Sequence, residues 1–127
     1  MATTNYVSAQ FLYDRLAEQF RPDRCTDVFD KIGVQEHNTD IIGKVYTATF
    51  ANPTVIENIL ARGEENVMLF SHHPRPPMRS LQEGYGMIPQ ELLDRMREQK
   101  VSLFSYHIPL DVVGPYSTGN SLARAMG

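Results

Sequence analysis

Three of the four histidines of this chain stand in two short runs whose residue types suit a metal ion. His72 and His73 are adjacent in S-H-H-P (71–74), and His107 opens H-I-P-L-D (107–111), which closes on Asp111. Neutral imidazole nitrogens and a carboxylate oxygen are ligands for Zn²⁺, Fe²⁺ or Mn²⁺. A lone histidine is more often structural or exposed than a ligand, and a two-histidine run has many chance matches. Clustering of three such residues therefore carries the reading. Arg75 and Arg79, just past the histidine pair, could hold a substrate phosphate or carboxylate, although solvated loop arginines are commoner. Asp27, Asp30 and Glu36 are further carboxylates that a charged surface loop explains without a site. His37, in Q-E-H-N, is expected to be exposed, and Cys25 has only Arg24 as a potential activator, so an inert thiol is expected. There is no Gly-rich phosphate loop or G-x-S-x-G elbow, and Tyr85 between Gly84 and Gly86 reads as a flexible loop.

Whether these donors meet depends on the elements that carry them. Ser8 is placed to cap a helix running to about Phe20, because Leu12, Leu16 and Phe20 recur at helical spacing and Pro22 stops it. The polar stretch 21–40 is expected to cross the surface irregularly, with at most a short strand near Phe29 to Val34. Lys44 to Phe50 is β-branched and aromatic, and Pro53 then opens a helix whose Val55, Ile56, Ile59 and Leu60 share a face before Gly63. Val67 to Phe70 is apolar on both faces, as a buried parallel strand is, and the histidine pair follows it. Pro89 opens another helix with Leu92, Leu93 and Met96 inward. Val101 to Tyr106 is a further strand, after which His107 holds the place that His72 holds after its own, and Asn120 to Met126 closes the chain as an amphipathic helix.

Alternating strands and helices predict an α/β fold, a mostly parallel sheet with helices on both faces, in one domain over 1–127. Ligands of such sheets gather beyond the carboxyl ends of the strands, the edge on which both histidine groups fall. Adjacent strand residues point in roughly opposite directions, so His72 and His73 are expected to serve two ions, or one ion and its surroundings.

Composition narrows the partners. With 127 residues, 42% hydrophobic and 21% charged, the chain is an ordinary globular sequence, and a net charge of -3 lacks the basic stripe that nucleic acid demands. A single cysteine excludes an intramolecular disulfide, and no stretch approaches the roughly 18 apolar residues of a membrane span. A cytoplasmic location without membrane contact is the expectation.

Several linked motifs in fixed order resemble the dinuclear metal centre hexameric proteins, also called the NGG-interacting factor three-like family. DKIGV (30–34) is similar to the family's Asp-Asn-x-Gly segment, KVYTATFANPTVIENILARG (44–63) to its first strand and helix, VMLFSHHP (67–74) to its metal-binding strand end, and HIPLD with GNSLARAMG (107–111, 119–127) to its second ligand loop and helix. The resemblance implies that His72, His73 and Asp111 bind up to two divalent ions, that His107 is a further ligand or the catalytic group orienting water, and that the chain forms homo-oligomers. Two departures stand out. No acidic residue lies near Phe50, where members usually carry an aspartate, and the His-x-x-x-Glu pair that completes the family's centre is missing from these residues. A fragment, an adapted short member, and completion by a second subunit all remain open. Some members carry the name GTP cyclohydrolase I type two, so a metal-dependent hydrolase acting on a nucleotide such as GTP is one expectation. A metal-binding assembly module without turnover is the second, and a domain whose rim histidines bind nothing is the third.

Overall fold

The computed structural model describes residues 5–27, 32–73, 88–116 and 118–126. A two-residue strand, β1 (Val7–Ser8), leads into helix α1 (Ala9–Phe20), where the Ser8 hydroxyl accepts from the Phe11 N–H. Arg21 ends that helix in a left-handed conformation, and Pro22 starts a single 3-10 turn to Arg24. Strands β2 (Gly33–Glu36), β3 (Ile41–Ile42) and β4 (Lys44–Phe50) follow, then α2 (Pro53–Leu60), capped by the Asn52 side chain. Beyond these come β5 (Val67–His73), α3 (Gln90–Glu98), β6 (Val101–Ser105), a short α4 (Ile108–Val112) and α5 (Thr118–Met126).

Four strands form the main sheet in the order β2-β6-β5-β4, and β1 pairs with β3 as a separate antiparallel ladder. Strands β4, β5 and β6 are parallel, whereas β2 runs antiparallel to β6 and carries a bulge between Val34 and Glu36. Helices cover both faces. Leu69, Val101 and Leu103 pack against Ile56, Ile59 and Leu60 of α2 and Leu92, Leu93 and Met96 of α3. Met68 and Phe104 turn to the opposite layer, where Ala9, Leu12, Tyr13, Leu16 and Phe20 of α1 meet them. Successive side chains of a strand point to opposite faces, which is why an uninterrupted apolar run is needed when both faces are covered. Leu69 and Leu103 are completely buried, and each such side chain contributes roughly 1.5–3 kcal/mol of transfer free energy.

The α/β class, the dominant parallel pairing and the two-sided helical cover follow the sequence reading. The differences are local. Of the strand expected from Phe29 to Val34, residues 29–31 lie outside the described residues; β2 begins at Gly33, whose φ of +90° turns the chain where the ladder starts. Strand β5 continues three residues beyond Phe70 and takes both histidines into its end. After β6, the chain turns directly into α4, a helix too short to announce itself by periodicity. The third expected helix starts one residue after Pro89, and the last begins two residues earlier than Asn120. Among the described residues no helix is long and apolar enough to cross a membrane.

Candidate metal centre

The register of β5 on β6 sets the site. Ser71 and Ser105 are paired residues on the two parallel strands, so the residues that follow each strand emerge side by side. Both serines are fully buried, their hydroxyl oxygens are 2.6 Å apart, and Ser71 donates at 2.8 Å to the carbonyl of His73. This buried pair fixes the backbone on which His73 stands. On the other side, β4 contributes Phe50, the register partner of His73, and the two rings stack at 4.4 Å with 6° between their planes.

His72 Nδ1 lies 3.0 Å from the Tyr106 carbonyl oxygen. A carbonyl can only accept, so Nδ1 carries the proton and Nε2 is the ring's electron-pair donor. That Nε2 is 3.3 Å from Asp111 Oδ1. Asp111 reaches it from α4, one helical turn past His107, whose carbonyl accepts from the Asp111 N–H at 3.3 Å. The His107 ring completes the group. Its Nδ1 is 3.1 Å from Asp27 Oδ1, while Asp27 Oδ2 accepts from the Ile108 N–H at 2.7 Å.

The three imidazoles face one another, with ring centroids 4.8 Å apart for His72 and His107 and 4.9 Å for each of the other two pairs. One nitrogen from each lies within 4.8 Å of the others, a spacing that a single ion can draw together. Burial holds His73 below the usual imidazole range, the neighbouring His72 and His107 push the same way, and Asp111 and Asp27 oppose them more weakly. The shift favours the neutral ring, which is the form that ligates. Tyr106, packed below, is pushed up to about 12 by burial and stays a neutral phenol.

His72, His73, His107 and Asp111 are thus brought together. His72 and His73, expected to point in roughly opposite directions, have ring centroids 4.9 Å apart, and each offers a nitrogen to the same group. Arg75, Arg79, Asp30 and the Gly84–Gly86 loop lie outside the described residues. Glu36 ends β2. His37 is exposed, as expected, and bridges Tyr13 and Asp40, at 2.9 Å to each, outside the three-histidine group. Sequence reasoning undervalues Asp27. A surface charge is the expectation there, yet its side chain is only 4% exposed; the available signal is an acidic residue in a segment that also holds apolar Val28 and Phe29.

The family model described as Duf34/NIF3 (NGG1p interacting factor 3) matches residues 8–127. Reduced HcgD from Methanocaldococcus jannaschii superimposes with a TM-score of 0.75 at 22% identity, covering 96% of this chain and 48% of that one. TTHA1606 from Thermus thermophilus gives 0.75 at 20% identity, covering 95% and 48%. A Bacillus cereus protein related to NIF3 gives 0.69 at 17% identity, covering 99% and 33%. These likenesses establish the fold, and the chain spans about half the length of HcgD and TTHA1606 and a third of the Bacillus cereus protein. No curated protein matches the sequence. With a family match over nearly its whole length and the same fold in these structures, the chain belongs to the DUF34/NIF3 family.

Proposed function

We propose that this chain is a divalent-metal-binding module of hydrolase type, with His72, His73, His107 and Asp111 as the donors. The observation that carries the reading is the pair formed by His72 Nε2 and Asp111 Oδ1, 3.3 Å apart. With Nδ1 committed to the Tyr106 carbonyl, His72 Nε2 and Asp111 Oδ1 stand side by side as a nitrogen and an oxygen donor that one cation can bridge. A proton would serve that pair alone; a metal ion also draws in His73 and His107, whose nitrogens are within reach.

The donor set fits Zn²⁺, Fe²⁺ or Mn²⁺, being rich in imidazole with one carboxylate. Bound there, such an ion supplies Lewis acidity to water and to a phosphoryl or carbonyl oxygen. The chain's own groups orient what surrounds it: Asp27 holds the His107 ring, and Phe50 walls the site beside His73. A second ion, which a dinuclear centre requires, needs donors beyond these four, and a homo-oligomer in the cytoplasm could bring them from another subunit. The substrate class is a small anionic molecule, a nucleotide such as GTP being the leading case, with Arg75 and Arg79 next in sequence as counter-charges.

One observation favours a second reading, a metal-binding assembly or regulatory module without turnover. Three imidazoles form one group, and Asp111 beside His72 would make a fourth donor, enough to close a tetrahedral site, whereas catalysis needs an open position. Both readings are tested together. Elemental analysis of untagged protein is expected to find about one or two ions per chain, lost in His72→Ala/Asp111→Ala. Negligible metal after incubation with Zn²⁺, Fe²⁺ or Mn²⁺ sinks both readings. Bound metal with metal-dependent GTP hydrolysis supports the enzyme, and bound metal with no turnover on nucleotides supports the module.

A further inference from the structure

We infer that Asp27 is a positioning residue that sets the tautomer of His107 and anchors the helix carrying Asp111, so that one buried carboxylate prepares two of the four donors. The inference rests on the metal-binding reading for its purpose, but its geometry stands without a metal.

Asp27 precedes the main sheet in sequence and reaches the site across a separation of 80 residues. Its side chain is nearly inaccessible, and each carboxylate oxygen has a separate assignment. Oδ2 accepts from the Ile108 N–H at 2.7 Å, the first residue of α4. The opening N–H groups of a helix have no intrahelical acceptor, so a carboxylate there satisfies an otherwise costly donor and suits the positive end of the peptide dipoles. Since Asp111 belongs to the same short helix, the anchor also sets the height of its carboxylate beside His72.

Oδ1 faces His107 Nδ1 at 3.1 Å. An ionised carboxylate offers only acceptors, so Nδ1 must carry the ring proton and Nε2 must carry the lone pair. Nitrogen ligands need that lone pair, and the partner of the opposite nitrogen decides which one has it. His72 obeys the same logic with a different acceptor, the Tyr106 carbonyl. Two rings of the group therefore have their tautomers written by the protein before any ligand arrives.

The substitution Asp27→Asn separates the two tasks. Its amide oxygen can still accept from the Ile108 N–H, which turns the NH₂ group toward His107. Nδ1 must then accept, and the proton moves to Nε2, the wrong tautomer for ligation. The experiment is long-range ¹H–¹⁵N correlation of the imidazoles in the metal-free protein at alkaline pH, where histidines are neutral, followed by Zn²⁺ titration against a competing chelator. The parent chain is expected to carry the His107 proton on Nδ1 and Asp27→Asn on Nε2, with Zn²⁺ affinity lower by about 10- to 100-fold in the variant. A parent spectrum with the proton on Nε2 overturns the inference, whether or not the variant folds. An unchanged Zn²⁺ affinity in a folded Asp27→Asn chain also overturns it. A parent chain that binds no Zn²⁺ defeats the metal reading instead, and the spectrum alone then decides the Asp27–His107 assignment.

Discussion

Ser71 and Ser105 share a hydrogen bond of 2.6 Å inside the sheet, directly behind the carbonyl of His73. The two hydroxyls share one hydrogen bond and serve a third group: Ser71 donates to the His73 carbonyl at 2.8 Å, and the Ser105 hydroxyl lies 3.5 Å from the same oxygen. Neither serine is exposed, so water cannot replace a missing partner.

Ser71→Ala and Ser105→Ala are each expected to cost about 1–3 kcal/mol, the penalty of a buried polar group left short of a partner. The double variant should cost less than the sum, since removing both hydroxyls leaves only the His73 carbonyl unsatisfied. Urea unfolding of the four proteins measures this cycle. Strict additivity would show that the two hydroxyls act independently and that the chain of donors is not what holds the strand end.

The stack of Phe50 on His73 gives a second expectation. Aromatic pairs contribute about 0.5–1.5 kcal/mol beyond burial, and Phe50 is 39% exposed, so little core is lost when it is trimmed. Phe50→Ala is expected to lower stability by about 1 kcal/mol and to weaken Zn²⁺ binding up to about tenfold, because the released His73 ring must be ordered again by the ion. Phe50→Tyr should restore both. Chelator competition reads the affinity, and a value unaffected by Phe50→Ala removes the wall from the account of the site.

At the opposite end of the sheet, Glu64 gathers Lys44, Tyr46 and Arg62. Their hydrogen bonds, led by Lys44, hold its carboxyl down to about 2 from an ordinary value of 4.5. A carboxylate with a folded pKa below its unfolded one contributes stability that is complete above the unfolded value and disappears as pH falls through the folded one. The melting-temperature difference between the parent and Glu64→Gln should therefore be full above pH 4.5, shrink through that window and vanish near pH 2. Added salt should reduce it, since the cluster is open to solvent. A difference that does not change with pH rules out the ionised carboxylate as its source.

The fold was legible where the pattern was long. Apolar spacing marked α1, α2 and α3, and the continuous runs of β5 and β6 announced strands covered on both sides. Parallel neighbouring strands explain why His72 and His107, far apart in sequence, could be expected on one edge. Three features stayed hidden for physical reasons. Helix α4 spans five residues and has too few turns to show a period. The approach of the His72 and His73 rings depends on side-chain rotamers at the end of β5, which residue spacing does not carry. Asp27 lies in a polar segment and its burial is created by distant partners, so the neighbouring apolar Val28 and Phe29 are the one local hint that separates it from the exposed Asp23.

The register of Ser71 on Ser105 has a thermodynamic consequence. The groups around the site come from the segment before β2, the end of β5 and the start of α4, and they meet only when the central strands have paired. An unfolded chain holds no such array, so a ligand spanning these segments binds the native state alone. Ligation and folding are then one linked equilibrium: a ligand at a hundred times its dissociation constant adds about 2.7 kcal/mol to the unfolding free energy. Thermal stability read against ligand concentration thereby becomes a binding curve, measurable without any substrate.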